Sequence, residues 1–216
     1  MSDEHIDEHE QGERVRKWLR DNGASVFGGI ALGIGAIIGV QFLQTREGAH
    51  QVEAARQYER FVAAQDAGEG DSAAGIAAAL ATEYDETPYP ALAALRRAAA
   101  LVEAEKPDEA LAALEAAIPG TRDAALKQTL LLRAGRVEVI LGRNDAAIAR
   151  LAQVDMPALA SLRHEIEGDA LVLKGDRDGA RDAYRQALTA MDSASPTRLL
   201  LELKLADVGG TTQTEA

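Results

Sequence analysis

From Lys106 the chain reads KPDEALAALEAAI, from Arg143 RNDAAIARLAQV and from Asp176 DRDGARDAYRQAL, and the three stretches align without a gap. The alignment superposes Ala110, Ala147 and Ala180, then Leu114, Leu151 and Tyr184, then Ala117, Val154 and Ala187. These positions recur at helical spacing. Carried back into the preceding helix, the same register superposes Ala98, Gly135 and Gly168. Small residues at fixed places let paired helices cross closely, so Ala147 should lie against Gly135 and Ala180 against Gly168. The stretch predicts helical hairpins that share a core with their neighbours.

The chain on either side extends this reading. Aromatics are scarce, and Ala and Leu recur at helical spacing, as in Ala91, Leu92, Leu95, Ala98, Ala99 and Val102. The six prolines, at 88, 90, 107, 119, 157 and 196, fall between periodic segments. Helices are expected near 48–66, 72–84, 89–105, 108–118, 123–141, 145–154, 157–173, 177–191 and 196–207. Asp71, Thr87, Asn144, Asp176 and Ser195 stand where helix starts want capping side chains. Gly120, Gly142 and Gly175 stand just past helix ends. The fold class is all-α.

Residues 22–45, NGASVFGGIALGIGAIIGVQFLQT, contain no charged residue. A bilayer core of about 30 Å takes roughly 20 helical residues, so this run is expected to be a single transmembrane helix. Arg14, Arg16, Lys17 and Arg20 precede it, and the positive-inside tendency makes that basic cluster the cytoplasmic flank. The expected organisation is a cytoplasmic N-terminal tail at 1–21, a span at 22–45, a periplasmic helical-repeat domain at 46–208 and a flexible tail at 209–216. A cleaved export signal is the competing reading, but its apolar region is typically about 7–15 residues before a small-x-small site, and Gln41–Gly48 offers no such site. Gly29 with Gly33 and Gly35 with Gly39 form small-xxx-small pairs suited to close association of membrane helices. Trp18 and Leu19 suit the interface.

The net charge of −12 argues against nucleic acid, which would need a basic stripe. With no cysteine, disulfides, thiolate metal sites and thiol nucleophiles are all excluded. His5, His9, His50 and His164 show no metal-ligand spacing, and no nucleophile has a neighbouring base, so neither metal, cofactor nor enzymatic chemistry is expected. His5 and His9 fall in a leader expected to be unstructured. His164, Glu165 and Asp169 read as a solvated helix face.

Small in the first helix, then Ala, a large apolar residue and a small one in the second, the pattern resembles the tetratricopeptide repeat of about 34 residues. A first unit around Asp71–Ala81 follows it weakly. The chain as a whole resembles the YfgM-type family of ancillary subunits of the SecYEG translocon, bitopic inner-membrane proteins with a periplasmic tetratricopeptide-like domain. ERVRKWLRDNG at 13–23, GGIALGIGAIIG at 28–39 and GDALVLKGDRDGARDAYRQAL at 168–188 carry the likeness. The acidic leader at 2–10 departs from it. The resemblance implies the SecYEG channel, a PpiD-type periplasmic chaperone, exported client proteins and an Rcs stress-response regulator as partners, and an inner-membrane location with the C-terminal domain in the periplasm. It implies binding and no catalytic residue.

A row of first helices would offer a partner groove. The repeat register assigns Leu92, Leu95, Thr129, Leu132, Arg136, Leu162, Glu165, Asp169 and Val172 to it. A periplasmic scaffold for other envelope or cell-division proteins would share this architecture.

Overall fold

The computed structural model describes residues 4–210; within its first helix the side chains at 4–11, 26, 27, 30, 31, 39, 40 and 42–47 lie outside the described set. The chain divides into two compact units, Met1–Val52 and Glu53–Ala216. Helix α1, Glu4–Asp66, runs through the first and supplies the opening helix of the second. Its backbone is already helical at Glu4, so the expected unstructured leader is corrected. A helix propagates more easily than it nucleates, and Glu13 stands four residues before Lys17, a favourable spacing on a helix surface. The expected span at 22–45 falls within α1, with part of its apolar sequence among the undescribed side chains. Among the described residues no helix is long and apolar enough to cross a membrane.

The second unit continues with α2 (Gly70–Glu83), α3 (Tyr89–Glu103), α4 (Pro107–Ala117), α5 (Ala124–Ile140) and α6 (Asn144–Leu151). A 3-10 turn at Pro157–Leu159 leads into α7 (Ala160–Leu173), then α8 (Arg177–Ala190) and α9 (Arg198–Asp207). All described regular structure is helical. The start signals are only partly used. Asp176 caps α8 by accepting from the Gly179 N–H, and Asp123 caps α5 by accepting from the Leu126 N–H. Asp71 and Asn144 lie inside their helices, Thr87 donates to the Tyr84 carbonyl, and Ser195 precedes the Thr197 cap position.

The ends of first helices follow one rule. Gly68, Glu105, Gly142, Gly175 and Gly209 all have positive φ. Beside each, the next N–H reaches back to a carbonyl in the last turn: Glu69 to Ala64, Lys106 to Leu101, Arg143 to Glu138, Asp176 to Leu171 and Gly210 to Leu205. This left-handed cap satisfies carbonyls that the helix leaves open. It recurs once per repeat, so the end of α1, α3, α5, α7 and α9 are five equivalent first helices. Gly120 lies outside the series. Gly209 and Gly210 close α9, so the structured domain extends past 208; residues 211–216 of the expected flexible tail lie outside the described residues.

Helix α3 pairs with α4, α5 with α6 and α7 with α8. Successive first helices also touch, α3 on α5 and α5 on α7, while successive second helices make no comparable contact, so the row curves toward its first helices. Phe61 and Ala64 of α1 share a core with Leu80 of α2 and Ala93 of α3, completing the weakly signalled first unit. The repeat alanines Ala110, Ala147 and Ala180 are fully buried. Ala147 does lie against Gly135, its carbonyl oxygen 3.7 Å from where a Cβ would stand, but the nearest atoms in both glycine notches belong to a larger side chain than the expected alanine. A Cβ on Gly135 would lie 3.0 Å from Leu151, and one on Gly168 would lie 2.6 Å from Cδ1 of the Tyr184 ring. The side chain one helical turn beyond each alanine fills the notch, because helical side chains lean toward the N-terminus over the preceding turn. Arg150 of α6 ties the repeats together, reaching Glu138 of α5 at 2.6 Å and Glu115 of α4 at 2.5 Å. Its guanidinium pKa is raised chiefly by Glu138, whose side chain is almost wholly buried.

Candidate functional site

Two faces of helical periodicity form a groove of about 610 Å³ in the second unit. Helix α3 contributes Leu92, Leu95, Ala99 and Val102, and α5 contributes Thr129, Arg133, Arg136 and Ile140. Both sets repeat every three or four residues and so share one side of their helix. Tyr58 closes one end, held by ring contacts to Phe61 and Tyr89 at centroid distances of 5.9 and 5.5 Å.

The polar groups are unevenly satisfied. Thr129 spends its hydroxyl on the Ala125 carbonyl at 2.8 Å. Arg96, on the rim, is paired with Asp66 at 2.5 Å. Arg136 has its Nε buried with no hydrogen-bond partner among the described residues. Glu103 brings the opposite charge to the lining.

Of the nine expected groove residues, Leu92, Leu95, Thr129 and Arg136 come together here. Leu132 does not: it is 1% exposed in a core with Leu131, Leu151, Val154 and Ile166, and its assignment to the groove is corrected. Its place on α5 points toward the α6 and α7 packing, which consumes it. Leu162 and Glu165 line a separate hollow of about 340 Å³ beside the α8–α9 loop. Val172 lies at the margin of exposure, at 37%.

Glu165 and Asp169 are not a solvated face. Lys204 of α9 donates to both at 2.8 Å, and Asp169 also accepts the Tyr184 hydroxyl at 2.8 Å. Burial first, then that hydrogen bond, raises the Tyr184 pKa well above the ordinary phenol value. His164 likewise is largely covered, its side chain 13% exposed and its Nδ1 3.1 Å from Glu167. Sequence reasoning missed Tyr58, Arg133 and Ile140. The i, i+4, i+7 series from Thr129 would have found Arg133 and Arg136 together, with Ile140 one turn further.

In the first unit Arg14, Arg16, Lys17 and Arg20 are exposed. A Cβ on Gly29, Gly33 or Gly35 would meet nothing within 4 Å, while Gly39 is outside the described side chains. Leu32, Ile34, Ile37 and Ile38 are each more than half exposed. Among the described residues no group of three or more His, Cys, Asp or Glu side chains could hold a metal ion.

A family model described as a tetratricopeptide repeat-like domain matches residues 16–210. The ancillary SecYEG translocon subunit of Escherichia coli (strain K12) is 35% identical over 181 residues, covering 82% of this chain and 85% of that protein. The proteins of the same name from Haemophilus influenzae and Aggregatibacter actinomycetemcomitans are 26% and 25% identical, each over 84% of this chain and 89% of their own length. No solved structure matches the chain. The match from the basic cluster to the last left-handed cap takes in every repeat described above, and the chain belongs to the YfgM-type family of ancillary SecYEG translocon subunits, built on a tetratricopeptide repeat-like domain.

Proposed function

We propose that the protein is a membrane-tethered interaction module of the SecYEG translocon, holding periplasmic chaperones and exported polypeptides near the channel exit. The observation that carries this reading is the relationship to the E. coli translocon subunit along most of both chains. The groove between α3 and α5 supports it by offering partly exposed apolar surface that no described residue of the second unit fills. Tethering requires no bond to be made or broken, and the partners are a PpiD-type chaperone, clients in transit and an Rcs regulator.

The anchor in this proposal is the uncharged run 22–45, with the basic cluster cytoplasmic and the repeats periplasmic. Exposed Leu32, Ile34, Ile37 and Ile38 favour a lipid environment over water. Gly29, Gly33, Gly35 and Gly39 would let α1 approach a membrane partner closely, since small residues permit packing that lipid does not replace.

Crosslinking in intact membranes followed by pull-down of the full chain tests the reading. Recovery of the channel together with a periplasmic chaperone is the expected result; recovery of neither overturns it. A periplasm-dependent reporter should be active after Ala216 and inactive after Glu10, and the reverse pattern would overturn the topology. Replacing the four glycines with leucine should preserve insertion and weaken recovery of the channel; undiminished recovery removes the span from the mechanism.

A further inference from the structure

We infer that the α3–α5 groove selects a peptide segment of another protein in which apolar side chains are interleaved with carboxylates. The inference rests on the groove being a docking site, as proposed above, and adds the chemistry of its occupant.

Charge is the first argument. The chain carries a net charge of −12, which by itself repels acidic polypeptides at long range. Yet α5 presents two guanidinium groups, Arg133 and Arg136, to the groove lining. Neither has an ion-pair partner within 4 Å among the described residues, whereas Arg96 on the rim is already neutralised by Asp66. The second argument is that Arg136 is only half-buried and even its buried Nε has no acceptor among the described residues, so nothing described neutralises the part of its guanidinium that faces the groove. A buried donor without an acceptor is costly, and a carboxylate satisfies a guanidinium better than any neutral acceptor does.

The rest of the lining sets what accompanies the carboxylate. Leu92, Leu95 and Val102 on one side and Ile140, 55% exposed, on the other offer apolar contact along the groove. From Thr129 to Ile140 a helix rises roughly 16 Å, room for about five extended residues or three helical turns. Glu103 lies in the same lining and disfavours a second acidic group there. A basic segment would leave Arg133 and Arg136 facing like charge, which is how the groove would reject it.

The test uses the full chain in lipid nanodiscs and fluorescence anisotropy with three short labelled peptides, one of leucine and glutamate, one of leucine and glutamine, one of leucine and lysine. The glutamate peptide should bind at least tenfold more tightly than either of the others, with a preference that shrinks as salt rises. Arg133→Glu with Arg136→Glu should reverse the order in favour of the lysine peptide. The milder Arg136→Gln should weaken the glutamate peptide several-fold, and Glu103→Gln should strengthen it. Unchanged circular dichroism of each variant secures the comparison. Equal binding of all three peptides, lost on Leu92→Asp, overturns the acidic preference while leaving the groove as a docking site. Binding unaffected by both Leu92→Asp and the arginine variants overturns the groove reading as well, and so does no binding of any peptide together with undiminished partner recovery by Leu92→Asp.

Discussion

The front of the first-helix row, between α3 and α5, and its rear, between α7 and α9, are made from equivalent repeat positions put to opposite use. Aligning Gly142 with Gly175 superposes Leu132 on Glu165 and Arg136 on Asp169. On α5, Leu132 is buried against α6 and α7, and of the two only Arg136 reaches the groove toward α3, its Nε buried without a partner among the described residues. At the rear, both carboxylates are clasped by Lys204, and Asp169 also holds Tyr184. Among the described residues α9 has no second helix packed after it, and Lys204 adds charge to the apolar packing of Leu201, Leu205 and Val208, whereas Arg136 on α5 has no described ion pair. A repeat supplies identical sites only until neighbours claim them.

Breaking the rear clasp should have the largest effect. Lys204→Met leaves two carboxylates without their cation in a site where Glu165 is 14% exposed. Losing one partner of a fully buried pair costs about 3–5 kcal/mol, and the partial exposure here brings the expected loss to about 2 kcal/mol, read by urea titration. Adding Glu165→Gln and Asp169→Asn should restore much of it. A Lys204→Met protein as stable as its parent would mean that α9 is held by its apolar packing through Leu201, Leu205 and Val208 and not by the clasp.

The glycine notches sharpen the same contrast. Gly168→Ala drives a methyl into the Tyr184 ring, and even after the helix-propensity gain of about 1 kcal/mol the overpacking should cost about 1–2 kcal/mol. Gly135→Ala meets the end of Leu151, which can shift, so the net change should stay within about 0.5 kcal/mol. Thermal melts of the pair check the order; an equal loss would break the distinction between ring and aliphatic filler.

Tyr184 adds a pH signature at the rear. Its native pKa is raised above the unfolded value of 10.0, so the contribution to stability is full below that pH and is lost as pH rises beyond it. Tyr184→Phe should remove this alkaline limb and cost about 1 kcal/mol at neutral pH through the lost Asp169 bond. Melts from pH 7 upward test it, and a limb that survives in Tyr184→Phe belongs to another group. The smallest effect is expected at the front. Arg133→Gln, at an exposed position with no described ion pair, should leave stability within about 0.5 kcal/mol while reducing acidic-peptide binding. A large stability loss there would make Arg133 part of the scaffold.

What the sequence determined by itself is everything carried by contiguous residues. Helical class follows from apolar spacing, and the register of Ala110, Ala147 and Ala180 follows from the local repeat. The left-handed turns at Gly142 and Gly175 follow from what glycine alone does cheaply. Glu105 escaped because it takes the same conformation without being glycine. Only the tertiary structure decided which first-helix positions stay open. Whether Leu132 faces a partner or the core depends on Val154 and Ile166, and whether Glu165 and Asp169 are free depends on Lys204, all supplied by other segments of the chain. Periodicity names the face of a helix, but burial and charge pairing belong to whatever the chain later brings against that face, and that is settled by packing between residues distant in sequence.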